Sequence, residues 1–298
     1  MAGHVDKASN TKPLDVRTAP GLDPVLRGLL VDAQTKGLPK LPAVDPTTAR
    51  SFFEVVCAQL NAMQSSPGAS CDLEINGAGG SLNARLYGHT AIGDETGAIV
   101  LFHGGGWVLG NLDTHDVLCR QLAEATGWPV LSIDYRLAPE HPFPAALDDA
   151  RAALAWLRAE ADGLNIDPRR IVVAGDSAGG NIAAALTLAD RRNDSPDLFG
   201  QVLIYPVVGD DLDTESMLRF ADGFGLSRAD MAWFRAHYQG PAARLRDPLH
   251  CPLFADSLAG LPPAVIVTAK FDPLHDEGAA YADRLACDGT AVTYQTYG

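Results

Sequence analysis

Short apolar runs alternate with helix-like stretches from about residue 98 onward. The runs are Ala98–Phe102, Pro129–Ile133, Ile171–Ala174, Val202–Tyr205, Ala264–Thr268 and Ala291–Tyr297. Except for the last, they lack polar alternation, which is typical of strands buried on both faces. Between them, apolar residues recur at helical spacing in Asp113–Thr126, Ala145–Ala159, Gly179–Arg191 and Asp276–Ala286. This alternation predicts an α/β fold with a mostly parallel central sheet flanked by helices.

Two parts of the chain do not follow the alternation. The first, up to about residue 64, predicts two amphipathic helices, Pro24–Lys36 and Pro46–Met63, with the proline-rich linker Leu38–Pro42 between them. The second, Val207–Gly240, places large apolar residues among acidic ones directly after a strand. We expect both to form a helical cap over the strand ends rather than separate folding units.

The predicted organisation is therefore a single core interrupted by its cap. Earlier in the chain, Cys71–Ile75 and Ala84–Tyr87 flank a glycine-rich turn, which predicts a hairpin at the edge of the sheet. We expect four consecutive segments: cap helices in residues 1–64, a first part of the catalytic core in 65–206, a cap insertion in 207–240, and a second part of the core, incomplete at its C-terminus, in 241–298.

Charge and cysteine content narrow the class of protein. The 298 residues carry a formal charge of −14, which argues against nucleic acid and anionic membranes as partners and favours a neutral small molecule. The five cysteines show no C-x-x-C spacing, so free thiols in a reducing compartment are expected. Because the sequence shows neither a signal peptide nor an apolar run long enough to span a bilayer, a cytoplasmic location is predicted.

A candidate nucleophile lies in the sequence Gly175-Asp176-Ser177-Ala178-Gly179. It stands between a buried strand and a helix rich in small residues, so the chain must turn sharply there, and glycines fit where a Cβ would clash. Such a turn presents Ser177 at the carboxyl end of the strands. We interpret Asp176 as shaping the loop. The alternative is a glycine-rich turn with an incidental serine.

A glycine run after another strand supplies candidate oxyanion donors. In His103-Gly104-Gly105-Gly106-Trp107, the N–H groups of Gly104 and Gly105 are predicted to stabilise a tetrahedral oxyanion, together with the N–H of Ala178. His103 is interpreted as a structural residue that pins the loop. Trp107 fits either a pocket wall or the core. A phosphate-binding loop is disfavoured because no Lys-Ser/Thr pair follows in the required spacing.

These motifs, with the segments Asp134–Ala146 and Phe271–Glu277, resemble the bacterial hormone-sensitive-lipase-like esterases, and within them the subgroup whose elbow reads Gly-Asp-Ser-Ala-Gly. The resemblance implies an α/β-hydrolase fold with a helical cap, and hydrolysis of short- to medium-chain carboxylic esters without cofactor or metal. It implies that Ser177 is the nucleophile and that Asp272 orients the base. Independently, Asp272 follows the run ending at Thr268, although an ordinary turn aspartate is an alternative.

Substrate preference is assigned to the cap in this interpretation. Besides Trp107, the side chains of Phe220, Phe224 and Trp233 are predicted to line the substrate pocket.

The resemblance also implies a catalytic histidine after the last strand, and the sequence shows none there. His275 is nearest to Asp272 in sequence, but the family usually has an arginine at that position. Three interpretations stay open: a shortened polypeptide, part of a longer chain, or a natural homologue that has lost the base. In each case we expect this polypeptide to hydrolyse esters poorly. A missing C-terminal helix would also expose apolar surface, which predicts self-association into homo-oligomers.

Two other functions are compatible with the same motifs. Plant gibberellin receptors resemble this family, keep the pocket and lack the histidine, so a non-catalytic ligand-binding protein is one alternative. An amide or formamide hydrolase is the other, because it would use the same oxyanion donors. Intact Ser177 and Asp272 favour the esterase.

Overall fold

One sheet organises the chain. The computed structural model describes residues 11–36, 40–64, 68–89, 95–191, 198–240 and 246–298. The strands in these ranges are β1 Ser70–Gly77, β2 Gly80–Tyr87, β3 Thr96–Phe102, β4 Val130–Ile133, β5 Ile166–Asp176, β6 Gly200–Ile204, β7 Ala264–Ala269 and β8 Val292–Tyr297. They form one sheet in the order β1-β2-β4-β3-β5-β6-β7-β8.

The sheet is parallel except at one edge. Strands β1 and β2 form the predicted hairpin, with Gly77 paired to Gly80 at the turn, and β2 runs antiparallel to β4. All other neighbours are parallel. The carboxyl ends of β3, β5, β6 and β7 therefore meet at one edge of the sheet, where open α/β folds bind their ligands.

Helices cover this sheet at the predicted positions. Their bounds are α1 Pro24–Thr35, α2 Pro46–Ala62, α3 Asp116–Thr126, α4 Ala145–Glu160, α5 Ala178–Asp190, α6 Glu215–Arg219, α7 Arg228–Tyr238 and α8 His275–Cys287. Among the described residues, no helix is both long and apolar enough to cross a membrane. The prediction placed the start of α3 at Asp113, three residues too early. The difference arises because the Asn111 side chain accepts hydrogen bonds from the N–H groups of Asp113 and Thr114, which holds these residues in a turn.

Helix α5 lies at the centre of the core. All of its residues are buried, and most of them are alanine, glycine, leucine or isoleucine, as a helix covered on every side requires. Two of its polar side chains make contacts outside the helix. Asn181 donates to the carbonyl oxygens of Val207 and His250, and Asp190 accepts two hydrogen bonds from Arg158 of α4 at 2.8 and 2.9 Å.

Helices α1, α2, α6 and α7, which we call the cap helices, are anchored by specific contacts. Leu30 and Val31 of α1 join an apolar cluster with Phe220 and Phe224, which follow α6. Arg50 of α2 donates to the carbonyl oxygens of Val108 and Ala138 and pairs with Glu140. The cap thus contacts the core through both of its sequence segments.

The starts of three cap helices follow sequence signals. Asp23 and Asp45 accept hydrogen bonds from the first-turn N–H groups of α1 and α2, and a proline occupies the first position of each. Ser227 and Asp230 form a capping box at the start of α7. Residues 38 and 39 of the predicted linker, and residues 65–67 and 241–245 beside two predicted segment boundaries, lie outside the described residues.

Candidate active site

Ser177 occupies a sharp turn between β5 and α5. Its φ of 53° and ψ of −117° are unusual for a residue with a side chain. Three backbone hydrogen bonds hold this conformation: the Ser177 N–H donates to Ile204, and its carbonyl oxygen accepts from Asn181 and Val207. The turn leaves the serine half-buried between fully buried neighbours. This is the geometry expected of a nucleophile at a strand-to-helix elbow.

Close backbone packing explains the glycines of this turn. A Cβ at position 179 would lie 1.9 Å from the carbonyl oxygen of Phe102, the last residue of β3. A Cβ at position 175 would lie 2.3 Å from the carbonyl carbon of Gly179. Because both contacts are with backbone atoms, no side-chain rotation could relieve them. The elbow is therefore pressed directly against the strand that precedes the glycine loop.

The glycine loop, residues 103–107, adopts a backbone that favours glycine. Gly105, Gly106 and Trp107 have φ values of 118°, 61° and 62° in succession. The Gly105 carbonyl oxygen accepts hydrogen bonds from Val108 and Leu109, which closes the loop on itself. Its two central N–H groups, those of Gly105 and Gly106, have no hydrogen-bond partner among the described residues.

The Gly104 N–H has a hydrogen-bond partner that the sequence did not predict. Its N–H donates to Asp176 Oδ1 at 2.9 Å, so this donor is already used. The N–H of Ala178, in contrast, has no partner among the described residues. Of the three predicted oxyanion donors, Gly105 and Ala178 thus have N–H groups without a partner among the described residues, and so has Gly106, which the sequence did not single out.

His103 is buried beneath the loop. Its Nδ1 lies 2.8 Å from the Gly104 carbonyl oxygen, and its ring stacks on Tyr135 with 4.3 Å between centroids. The Tyr135 hydroxyl donates to the His103 carbonyl oxygen at 2.7 Å. Burial, followed by the charge of His115, lowers the pKa of His103 to about 3, so the imidazole is neutral. These contacts agree with its interpretation as a structural residue.

Asp272 lies on the loop between β7 and α8, at the same edge of the sheet as Ser177. Its Oδ1 accepts the Leu274 N–H at 2.8 Å, and burial raises its pKa to about 6. Burial and then the charges of Asp176 and Asp272 raise the pKa of Tyr205, so this phenol lies within electrostatic reach of both carboxylates. Tyr205, at φ 35°, directly follows β6 at this edge of the sheet, and the sequence did not single it out.

The cap directly contacts the loop between β7 and α8, which carries Asp272 and which we call the acid loop. Ser216 of α6 donates its hydroxyl proton to the Pro273 carbonyl oxygen at 2.7 Å, and its N–H donates to Asp276 at 2.8 Å. Below this contact, buried Glu277 accepts the Val208 N–H at 2.8 Å and lies 3.8 Å from Arg235 of α7. Burial raises the pKa of Glu277 to about 7 although Arg235 opposes the shift.

The aromatic residues predicted to line the pocket fall into two groups. Phe220 and Phe224 pack on Phe271, with ring centroids 5.8 and 6.2 Å away, and so lie beside the acid loop. Trp107 is buried and stacks on Tyr238 at 4.2 Å, which places its ring in the core.

Trp233 is half-buried and does not mark the closest contact of α7 with the glycine loop. The neighbouring Phe234 does, because a Cβ at Gly106 would lie 2.1 Å from its ring. That Trp233 lines the substrate pocket stays a prediction.

Seven histidines fall within the described residues, and none of their imidazole rings hydrogen-bonds to Ser177 or Asp272, although the His275 N–H donates to the Asp272 carbonyl oxygen at 3.1 Å. They are His89, His103, His115, His141, His237, His250 and His275. His275 begins α8, and its charge slightly opposes the raised pKa of Asp272. His4 lies outside the described residues.

Comparisons with known proteins identify the family. A family model for the alpha/beta hydrolase fold matches residues 99–298. The chain belongs to the α/β-hydrolase family. This hydrolase is 41% identical to the carboxylic ester hydrolase LipN of Mycobacterium tuberculosis, over 93% of this chain and 75% of that protein. It is 38% identical to an ethyl acetate hydrolase of Pseudomonas putida, over 88% and 85% of the two chains.

Solved structures agree with these relatives. The hyperthermophilic esterase of the archaeon Pyrobaculum calidifontis matches this hydrolase with a TM-score of 0.87 and 41% identity, over 93% of this chain and 88% of that one. The carboxylesterase EstE1, cloned from a metagenomic library, matches with a TM-score of 0.82 and 42% identity, over 87% and 88%. The predicted fold and the predicted enzyme class, an ester hydrolase, are confirmed.

Replacing Gly179 with alanine should destabilise the hydrolase severely. Its Cβ would overlap the Phe102 carbonyl oxygen, and backbone must move to relieve the clash. We expect the free energy of unfolding, measured by urea denaturation, to fall by at least about 3 kcal/mol. Gly163→Ala is the matched control, because its Cβ would meet only the Glu160 carbonyl oxygen at 3.5 Å. Equal stability of the two variants would contradict the close approach.

Glu277 should make stability depend on pH. Its pKa is raised from 4.5 to about 7 by burial, so between these values the folded chain binds more protons than the unfolded chain. The free energy of unfolding contributed by this group therefore falls as pH rises through that window, by about 3 kcal/mol at most.

The measurement is the difference in unfolding free energy between wild type and Glu277→Gln at pH 4, 6 and 8. As the pH rises from 4 to 8, we expect Glu277→Gln to become more stable relative to the wild type. Glu160→Gln, at an exposed site on α4, should leave the pH profile of the wild type unchanged. Parallel profiles for wild type and Glu277→Gln would show that the buried carboxyl does not titrate as described.

Proposed function

We propose that this hydrolase cleaves short- to medium-chain carboxylic esters through an acyl-enzyme on Ser177. The observation that carries the proposal is the pairing of a strained elbow serine with unpaired N–H groups at Gly105, Gly106 and Ala178. Donors that are fixed before the reaction stabilise charge without reorganising, which makes them effective in acyl transfer. The similarity to an ethyl acetate hydrolase supports a small acyl group.

The reaction follows from this geometry. The Ser177 oxygen attacks the ester carbonyl carbon, its proton passes to a base, and the carbonyl oxygen becomes an oxyanion that accepts hydrogen bonds from the three N–H groups. Collapse of this intermediate expels the alcohol, which takes up a proton, and leaves the acyl group on Ser177. Water then attacks the acyl-enzyme by the same steps. Asp272 would orient the base and stabilise its charged form.

The base is the component that the described residues do not provide. No described imidazole ring hydrogen-bonds to Ser177 or Asp272, and among the described residues the Asp272 carboxyl accepts only the Leu274 N–H. A serine hydroxyl without a base is a weak nucleophile. We infer that the 298-residue polypeptide retains the binding site and oxyanion donors but turns over esters slowly.

Hydrolysis of p-nitrophenyl acetate tests this inference. Loss of the histidine in a serine protease lowers turnover by about 10⁶, so we expect a rate at least about 10³ below the median enzyme turnover of about 10 s⁻¹. The residual rate should exceed that of Ser177→Ala. Turnover near 10 s⁻¹ would contradict the inferred lack of a base, whereas equality with Ser177→Ala would contradict the role of Ser177.

Imidazole added to the buffer should restore part of the missing proton transfer. We expect the rate to rise with imidazole in the wild type beyond the rise seen with Ser177→Ala, which reports the direct reaction of imidazole with the ester. The variant Asp272→Asn should weaken this rescue, because an amide does not stabilise an imidazolium. An identical imidazole response in wild type and Ser177→Ala would count against an elbow serine poised for acylation.

A further inference from the structure

A buried carboxylate joins the nucleophile elbow to the glycine loop. Asp176 directly precedes Ser177, and its Oδ1 accepts the Gly104 N–H at 2.9 Å. A Cβ at Gly104 would lie 2.1 Å from Asp176 Oδ2, so the carboxylate lies flat against the loop backbone. Each partner is one residue away from a group that acts in the proposed reaction: Ser177 on one side, and the Gly105 N–H on the other.

The second partner of this carboxylate is His115, at the start of α3. Its Nε2 lies 3.1 Å from Asp176 Oδ1, and both side chains are largely buried. Burial raises the pKa of Asp176, but the charge and hydrogen bond of His115 and the Gly104 N–H outweigh it, so the net pKa is lowered and the carboxyl is ionised. An ionised carboxylate only accepts hydrogen bonds, so the nitrogen that faces it must carry a proton.

The opposite side of the imidazole is held as well. Thr114 Oγ1 lies 2.9 Å from His115 Nδ1, and the same hydroxyl contacts the Asn111 backbone. The ring is thus oriented by the turn that precedes α3, and Nε2 is directed at Asp176. Since Nε2 carries a proton, its 3.2 Å contact with the Gly104 nitrogen is not a hydrogen bond, and Gly104 donates to Asp176 alone.

We propose that His115 is a positioning residue of the esterase reaction, which donates its Nε2 proton to Asp176 and thereby holds the glycine loop against the elbow of Ser177. The effect of His115 on catalysis rests on the proposed function. Its effect on the glycine loop rests on the contacts alone. Without His115, the buried carboxylate would keep the Gly104 N–H as its one donor among the described residues. It would then protonate or turn away, and Gly104 would be released.

The orientation of the Gly105 and Gly106 N–H groups depends on the hydrogen bonds that Asp176 accepts from His115 and Gly104. Oxyanion donors act at about 3 Å, and a displacement of about 1 Å costs on the order of 100-fold in rate. His103 cannot replace His115, because its Nδ1 is directed at the Gly104 carbonyl oxygen and its burial keeps it neutral. The pair therefore acts on the reaction through the loop and without touching substrate.

Hydrogen exchange tests the anchor independently of activity. In His115→Leu, the Gly104 amide, which donates to Asp176, should exchange at least about tenfold faster than in the wild type, because local opening becomes easier. His115→Gln should restore slow exchange, since its side-chain amide can donate to Asp176. His141→Leu, at an exposed position of another loop, is the matched control and should exchange as the wild type does. Unchanged exchange in a folded His115→Leu protein would overturn the proposal.

Nitrogen NMR of the imidazoles locates the His115 proton in the wild type, and a variant serves only to assign the signal. We expect His115 to show a protonated Nε2 at neutral pH, with assignment confirmed by loss of the signal in His115→Gln. A His115 ring protonated on Nδ1 alone would overturn the proposal, because its Nε2 lone pair would then face a carboxylate.

Kinetics separate the failure of this proposal from failure of the proposed function. Above the Ser177→Ala background, His115→Leu should lower kcat about tenfold or more with little change in KM, and His115→Gln should recover most of it. If wild type equals Ser177→Ala, the proposed function fails while exchange and NMR still decide the role of His115. If kcat is unchanged although the loop is loosened, the link from loop to reaction is overturned.

Discussion

The contact between Gly179 and the end of β3 sets the distances throughout the active site. A Cβ on Gly179 would lie only 1.9 Å from the Phe102 carbonyl oxygen, so the start of α5 and the end of β3 meet as two backbones in direct contact. Ser177 and the loop N–H groups consequently share one rigid frame. A site built on backbone contacts in a packed core is held more accurately than one built on long side chains.

The cap completes this frame rather than merely covering it. Phe234 of α7 lies against Gly106, and Arg50 of α2 binds the carbonyl oxygen of Val108 just beyond the loop. On the opposite side, Ser216 of α6 binds the loop that carries Asp272. Both loops are therefore fixed from above as well as by the sheet. Cap sequence and loop geometry are coupled, so exchanging caps between relatives would alter the positions of the site residues as well as the shape of the pocket.

The sequence predicted the sheet well because buried strands are continuous apolar runs that need little context. Ile171–Ala174 was recognised, and the structure extends it to Ile166–Asp176, including polar residues whose strand conformation depends on neighbours such as β3. The sharp turn at Ser177 could likewise be predicted, since the glycines on either side of it reflect a local backbone requirement. The hairpin followed from its glycine-rich turn, and the two N-terminal cap helices followed from their amphipathic periodicity.

The parts that could not be predicted depend on contacts between distant segments. Gly104 looked like a free donor because nothing in its own motif shows that the side chain of Asp176 reaches it. His115 carries no motif, and it meets its partner Asp176 only when folding brings the start of α3 to the end of β5. Which of Trp233 and Phe234 contacts the glycine loop depends on the rotation of α7 about its axis, and sequence periodicity alone does not fix that rotation. Tertiary packing, rather than local propensity, decides each of these cases.

Complete burial of α5 has a practical consequence for engineering. No position on this helix faces water, so charges that improve solubility have no place there, and any substitution must preserve both volume and polarity. Helices α3 and α4, which have exposed positions, offer such sites instead. Sequence variation among functional homologues should accordingly be narrow along residues 178–190 and broad on those two helices.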